Sequence, residues 1–259
     1  ITVKAKGHVD RMWRLDCGEV AKGDIAMFSD TGLYDGQQRE LVVSCYLIKH
    51  GDTYMLWDAG FNKEMTKPPA DGSPAPYSLK TTIVDQMAKL GLKPGQISYI
   101  GVSHYHMDHV GQAGDFPQAT LLIGKGDHDA LKDGSQAMAD RASLAHWLKD
   151  GKVDPVSGDR DVFGDGSVVM VNLPGHTPGH HGLIVRLPKT GTVLLSGDLG
   201  HFREQFTNRG VPTFNTDRAD TISSMDRFEQ IAKNIGATII VSHDPRDLPK
   251  LPTFPVPAE

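Results

Sequence analysis

Four apolar runs in this chain each end in a side chain able to bind a metal, and no other feature constrains the fold as tightly. Ile100-Gly101-Val102-Ser103 leads to His104, and Val193-Leu194-Leu195-Ser196-Gly197 leads to Asp198. Ile239-Ile240-Val241-Ser242 leads to His243, and residues 168–173 lead to a Gly/Pro turn, Pro174-Gly175-His176-Thr177-Pro178-Gly179-His180. Apolar runs of this length bounded by turn residues read as buried strands. Donors at strand ends converge on one edge of a sheet sandwich, where loops are free to build a site.

The first donor opens the run His104-Tyr105-His106-Met107-Asp108-His109, three imidazoles and a carboxylate within six residues. Side chains this close cannot all reach one ion from a single helical or extended element, so the run reads as a turn serving two adjacent metals. His104 and His106 project the same way and share one ion, while Asp108 and His109 on the following turn face a second. One histidine alone would be an ordinary surface or capping residue; this cluster is not. Imidazole and carboxylate suit zinc, and a closed structural site would use thiolates instead. A metal pair supplies a Lewis acid and a hydroxide formed near neutral pH, so hydrolysis is the expected chemistry. Asp108 has a further expected duty, receiving the proton of the attacking hydroxide and passing it to the leaving oxygen.

Around these donors the chain reads as short strands and amphipathic helices. Residues 41–49 and 53–58 form a hairpin about His50-Gly51-Asp52, and 61–77 is a Pro/Gly-rich loop. Helical spacing runs through Ile83, Met87 and Leu90 over residues 79–90 and stops at Gly91, after which 97–102 is the strand that delivers the metal loop. Residues 127–131 and 137–148 read as helices, and 152–173 as short strands broken by Gly158 and Gly164-Asp165-Gly166. Strands at 182–187 and 192–195, a helix at 219–235 and a strand at 237–241 follow. Strands central to each half with helices after them imply an α/β fold, two sheets face to face with helices outside. Residues 245–259 carry five prolines and are expected to run extended over the surface. No repeat or linker divides residues 1–259, which read as one domain with this Pro-rich tail.

A net charge of −5 with scattered Lys and Arg argues against nucleic acid as a partner, and no apolar run has membrane-spanning length. The chain begins at Ile1 without an initiator Met, as a processed exported protein would; a periplasmic or secreted location is expected, with a cytoplasmic one as the alternative. Cys17 and Cys45 form one disulfide if the first two strands are neighbours, and are buried free thiols otherwise. Neither is placed as a nucleophile.

Over roughly residues 40–245 the order and spacing of these motifs resemble the metallo-β-lactamase superfamily. The resemblance implies an αββα sandwich of two mixed β-sheets with helices on the outer faces. Carried over by position, His104, His106 and His176 are implied ligands of one metal, Asp108, His109 and His243 of the other, and Asp198 bridges them. Asp58, closing Tyr54-Met55-Leu56-Trp57-Asp58-Ala59-Gly60, matches an aspartate that supports the ligand loop without binding metal. The implied cofactors are two divalent ions, zinc ahead of cobalt, manganese or iron.

Within that superfamily, penicillin-cleaving enzymes of the commonest class carry Cys where Asp198 stands, and diiron redox proteins carry Glu where His106 stands. Glyoxalase II continues into a helical, basic C-terminal region, and RNase Z carries a basic insertion; neither is present here. The hairpin Ser44-Cys45-Tyr46-Leu47-Ile48-Lys49-His50-Gly51, the loop 103–110 and the segment 173–181 resemble the N-acyl-homoserine lactonase branch. The implied substrate is a small lactone with an acyl amide chain, opened by the metal-bridging hydroxide; other lactones, aryl esters and organophosphate triesters are the alternatives on the same scaffold. A homodimer is also implied, with the 61–77 loop as the expected contact. That loop and Phe202, Phe206 and Phe214 are placed to wall an acyl chain, with ordinary core packing the equal alternative for the three aromatics. The better-known lactonases place a tyrosine three residues after the bridging aspartate; here that position is His201, expected to donate a hydrogen bond to the lactone. His180 is expected to orient its loop by hydrogen bonding, and His8, His50, His128 and His146 to be solvated.

Overall fold

The structure is a computed structural model described over residues 7–259; residues 1–6, with the Ile1 start, lie outside them. The first half comprises β1 (Arg11–Asp24), β2 (Gln38–His50), β3 (Thr53–Trp57), β4 (Tyr77–Ser78), α1 (Ile83–Lys89), β5 (Ile97–Gly101), α2 (Met107–Val110), β6 (Thr120–Gly124), α3 (Lys125–Asp133) and α4 (Ala145–Lys149). The second comprises β7 (Val153–Val156), β8 (Arg160–Asp161), β9 (Val168–Asn172), β10 (His181–Leu187), β11 (Gly191–Leu195), α5 (Arg203–Asn208), α6 (Arg218–Ile235) and β12 (Thr238–Ile240). They build a seven-stranded sheet in the order β4-β1-β2-β3-β5-β6-β7 and a five-stranded sheet in the order β12-β11-β10-β9-β8. Both are mixed: β1, β2 and β3 are antiparallel while β3, β5, β6 and β7 run parallel, and β12 joins β11 in parallel.

Period-two alternation sorts side chains into layers. On β9, β10 and β11, Val168, Met170, Leu183, Val185, Val193 and Leu195 face Tyr46, Ile48, Met55 and Trp57 of the other sheet and fill the space between the two. Their neighbours Val169, Val171, Ile184 and Leu194 point the opposite way, onto Met225, Phe228 and Ala232 of α6. On the far side, Leu47, Leu56, Ile100 and Leu121 pack against Ile83 and Met87 of α1, Leu131 of α3 and Trp147 of α4. Strands buried on both faces have no polar face, which is why they read as continuous apolar runs. The result is the four-layer αββα sandwich.

Local chemistry sets the ends. Thr82 caps α1, accepting from Asp85 N–H at 3.1 Å, so that helix starts four residues later than its apolar spacing suggests. Asp217 caps α6 in the same way, and Gly236 closes it in the left-handed region. Two expectations need correction. Residues 137–148 are not one helix: the Asp140 carboxylate accepts from Ser143 N–H and Oγ, holding a turn, and helix begins only at Ala145. The tail is not extended throughout: Asp244 caps a 3-10 helix over Pro245–Lys250, and Ala258 pairs with Met12 of β1. Alternation in the sequence does not delimit β1 or β6. Cys17 on β1 and Cys45 on β2 are bridged, with Cα atoms 5.8 Å apart. No described helix is long and apolar enough to cross a membrane.

Candidate metal centre

Four of the expected donors lie just beyond the C-terminal end of a strand, His104 after β5, His176 after β9, Asp198 after β11 and His243 after β12, as does the supporting Asp58 after β3. Because the parallel pairs β3/β5 and β11/β12 end on the same side, the loops of both sheets meet there. His106 precedes the short helix α2, which carries Asp108 and His109.

Two clusters form. His104 Nε2, His106 Nδ1 and His176 Nε2 stand 2.9 to 3.2 Å from one another. Tetrahedral zinc with ordinary Zn–N bonds sets its nitrogens about 3.3 Å apart. In the second cluster His109 Nε2 and His243 Nε2 are 3.3 Å apart, each 3.7 Å from Asp108 Oδ2. Asp198 lies between: Oδ1 is 3.1 Å from His109 and 2.9 Å from His243, and Oδ2 is 3.5 Å from His176 and 3.7 Å from His104. All seven expected donors are thus brought together, divided three and three with one carboxylate shared.

The opposite ring nitrogens fix the tautomers. Nδ1 of His104 meets Ser103 Oγ at 3.0 Å, Nδ1 of His109 meets Asp58 Oδ2 at 3.0 Å, Nδ1 of His176 meets Asn215 Oδ1 at 2.8 Å, and Nδ1 of His243 meets the Val42 carbonyl at 2.8 Å. With protons on the outer nitrogens, the inner ones of His104 and His176 turn lone pairs toward one another, an arrangement a cation relieves. Burial holds His104 and His176 well below the usual histidine range and His106 at about 4, so these rings are neutral and ready to ligate at neutral pH. Burial works the same way on His109 and His243, but Asp198 and Asp108 outweigh it and push both up. The donor set therefore fits two adjacent divalent ions.

Supporting residues complete the frame. Asp58 sits at φ 57°, and its Oδ1 accepts Ser103 N–H at 2.6 Å, holding the loop that begins the His104 run. His180 donates from Nδ1 to the Leu173 carbonyl at 2.9 Å and accepts Asp198 N–H on Nε2 at 2.9 Å, orienting its loop as expected. His201 is buried rather than facing solvent; its Nε2 is 3.1 Å from Asp198 Oδ2, and its ring stacks on His243. His8 and His146 are exposed, whereas His50 departs from the solvated expectation by stacking on Phe163 beside Asp165.

A cavity of about 500 Å³ opens over His106, Asp108, Asp198, His201 and His243. Of Phe202, Phe206 and Phe214, only Phe214 lines it. Phe202 packs with Ile25, Tyr34 and Leu41, and Phe206 stacks on Phe228 in the core, since both point inward where α5 meets the body. The 61–77 loop contributes only its ends, Phe61 and Tyr77. Most of the wall was missed: Ile25, Met27, Phe28 and Leu41, with Met107 and Met138 at the mouth. The available signal was the number of large apolar residues in 20–28 lying outside any alternating pattern.

Fold and site together define a metallo-hydrolase scaffold, and the chain belongs to the metallo-beta-lactamase superfamily, whose family model matches residues 39–243. Among its relatives, the N-acyl homoserine lactonase AttM of Rhizobium johnstonii is 30% identical over 226 residues, 82% of this chain and 85% of that protein. A solved Bacillus thuringiensis AiiA mutant with N-decanoyl-L-homoserine at its active site shares the fold with a TM-score of 0.83 at 23% identity, covering 97% of this chain and 100% of that one. An N-acyl homoserine lactone hydrolase with N-hexanoyl-L-homoserine bound at its catalytic metal center gives a TM-score of 0.82 at 23% identity, with coverage of 97% and 100%.

Proposed function

We propose that this protein is a binuclear metal-dependent hydrolase that opens the ring of N-acyl-homoserine lactones. The observation that carries the reading is the pair of donor clusters sharing Asp198 at the floor of a largely apolar cavity. The AttM relative bears the lactonase name, and the two solved neighbours bind acyl-homoserines, the products of such a ring opening.

His104, His106 and His176 hold one ion, Asp108, His109 and His243 the other, and Asp198 serves both. Zinc suits this set best, with cobalt, manganese and iron as the other outcomes of metal analysis. When bound, such ions supply Lewis acidity and make water acidic enough to ionise near neutral pH. Asp108, its side chain 21% exposed to the cavity, takes the proton of the attacking water and returns it to the ring oxygen as the ester bond breaks. His201 keeps Nδ1 shut away from solvent and presents Nε2 beside Asp198, where its N–H donates to an incoming lactone oxygen. The apolar walls take up the acyl chain.

Metal analysis should return two ions per chain, and a value below about one and a half undermines the binuclear mechanism. A pH-stat comparison of an acyl-homoserine lactone, a nitrophenyl ester and a phosphotriester should rank the lactone first; finding it poorest would overturn the substrate assignment. His201→Phe should slow lactone turnover at least tenfold, about 1.4 kcal/mol of barrier, and a change within about twofold removes the residue from the mechanism. We further propose an exported location, supported by the Cys17–Cys45 bridge. Cell fractionation that finds the protein in the cytosol with both thiols free reverses it.

A further inference from the structure

We propose that Asp127 is the positioning residue of the three-imidazole cluster, clamping the turn that carries His176 to the start of α3. Its carboxylate lies in the first turn of α3, fully buried, and accepts from two donors on the turn after His176. Thr177 Oγ1 reaches Oδ2 at 2.8 Å and Gly179 N–H reaches Oδ1 at 2.6 Å. Thr177 directly follows His176. One side chain therefore ties the backbone beside His176 to the start of α3, which follows β6, the strand paired with the β5 that delivers His104.

The packing leaves little slack in this clamp. A Cβ built on Gly124 would stand 1.8 Å from the Gly179 carbonyl oxygen, and one on Gly179 would stand 2.4 Å from Asp127 N. The start of α3 thus lies backbone to backbone against the turn after His176, with glycine required on both sides. A buried carboxylate is costly, and here burial pushes Asp127 up to about 7 against the opposing pull of its bonds to Thr177 and Gly179. An asparagine keeps the shape but must turn an N–H₂ toward one of those donors, most damagingly the Gly179 N–H, which cannot rotate away. Asp58 braces the site from the other side, bonding His109 Nδ1 of the second cluster and, through Ser103 N–H, the head of the His104 loop.

The inference rests on the two clusters being metal sites, and its test separates the two claims. Single-site proteins are made with His243→Ala, which leaves the three-imidazole cluster, and with His176→Ala, which leaves the other. Each is titrated with Co2+ alone, following the visible absorption of bound cobalt, with and without Asp127→Asn. Asp127→Asn should weaken cobalt binding 10- to 100-fold in the His243→Ala protein, the range for loss of a residue that orients ligands, and by less than about twofold in the His176→Ala protein. Equal weakening in both backgrounds, or none in either, overturns the proposal. If Asp127→Asn does not fold, Thr177→Val removes one arm of the clamp and must show the same asymmetry at smaller size. Failure of the unmutated protein to take up two cobalt ions sinks the metal reading instead.

Discussion

His180 completes no ligand trio and does not line the cavity, yet its two nitrogens join the Leu173 carbonyl to the Asp198 N–H. Burial pushes it down to about 3 from an ordinary 6.5. Between those values the unfolded chain binds a proton that the folded chain refuses, so stability is fully present above pH 6.5 and falls as the pH drops toward 3. Urea unfolding of the metal-free protein at about pH 7 and pH 5 should show the parent losing about 2 kcal/mol more than His180→Gln over that interval. An equal loss in both proteins would mean that His180 titrates normally. Gly197 belongs to the same contact: at φ 52° it lets the chain pass where a Cβ would stand 2.5 Å from His180 Nε2. Ligands such as His104 and Asp198 were legible in the sequence because metal-binding chemistry at the end of an apolar run is visible residue by residue. Asp127 was not, because an acid in a first helical turn is ordinary; Asp85 and Asp220 occupy the same position in α1 and α6.

At the scale of elements, periodicity located most strands and the long helix, because each buries a regular stripe or both faces. It failed over 137–148, where local side-chain bonds of Asp140 replace helix, and it did not delimit β1, whose register with β2 shifts at Asp16/Gly18 and again at Val20/Gly23. A shift exchanges the faces and breaks the alternation that identifies a strand. The same limit leaves Phe202 and Phe206 undecided between wall and core in the sequence, since an aromatic in a loop-rich segment packs inward or outward according to the tertiary path. Phe206→Ala should cost about 3–5 kcal/mol in urea unfolding, with KM for a long-chain lactone little changed. Phe214→Ala should raise that KM severalfold with a smaller loss of stability. The reverse pattern would place Phe206 in the wall.

Across the whole molecule the two sheets share one interlayer core, and the chain's last residues tie them together. Ala258 pairs with Met12 of β1, while Glu259 bonds Lys189 in the β10–β11 turn. On this basis the chain is proposed to be a single cooperative domain. Calorimetry should show one transition, and two separated ones would divide the domain. The Cys17–Cys45 bridge closes a loop of 28 residues between the first two strands. Replacing both cysteines with serine should lower stability by about 3.6 kcal/mol while two metals are still bound, because the bridge constrains the unfolded chain more than the site.

The sequence by itself determined the donor chemistry and the layered fold, since a side chain's affinity for metal and the period of an apolar pattern are local properties. Only the tertiary structure decided the bridged cysteines, the composition of the cavity wall and the clamp at Asp127. Each of those depends on which distant segments come within bonding distance, as Asp127 does with Thr177 and Gly179 some fifty residues further along the chain.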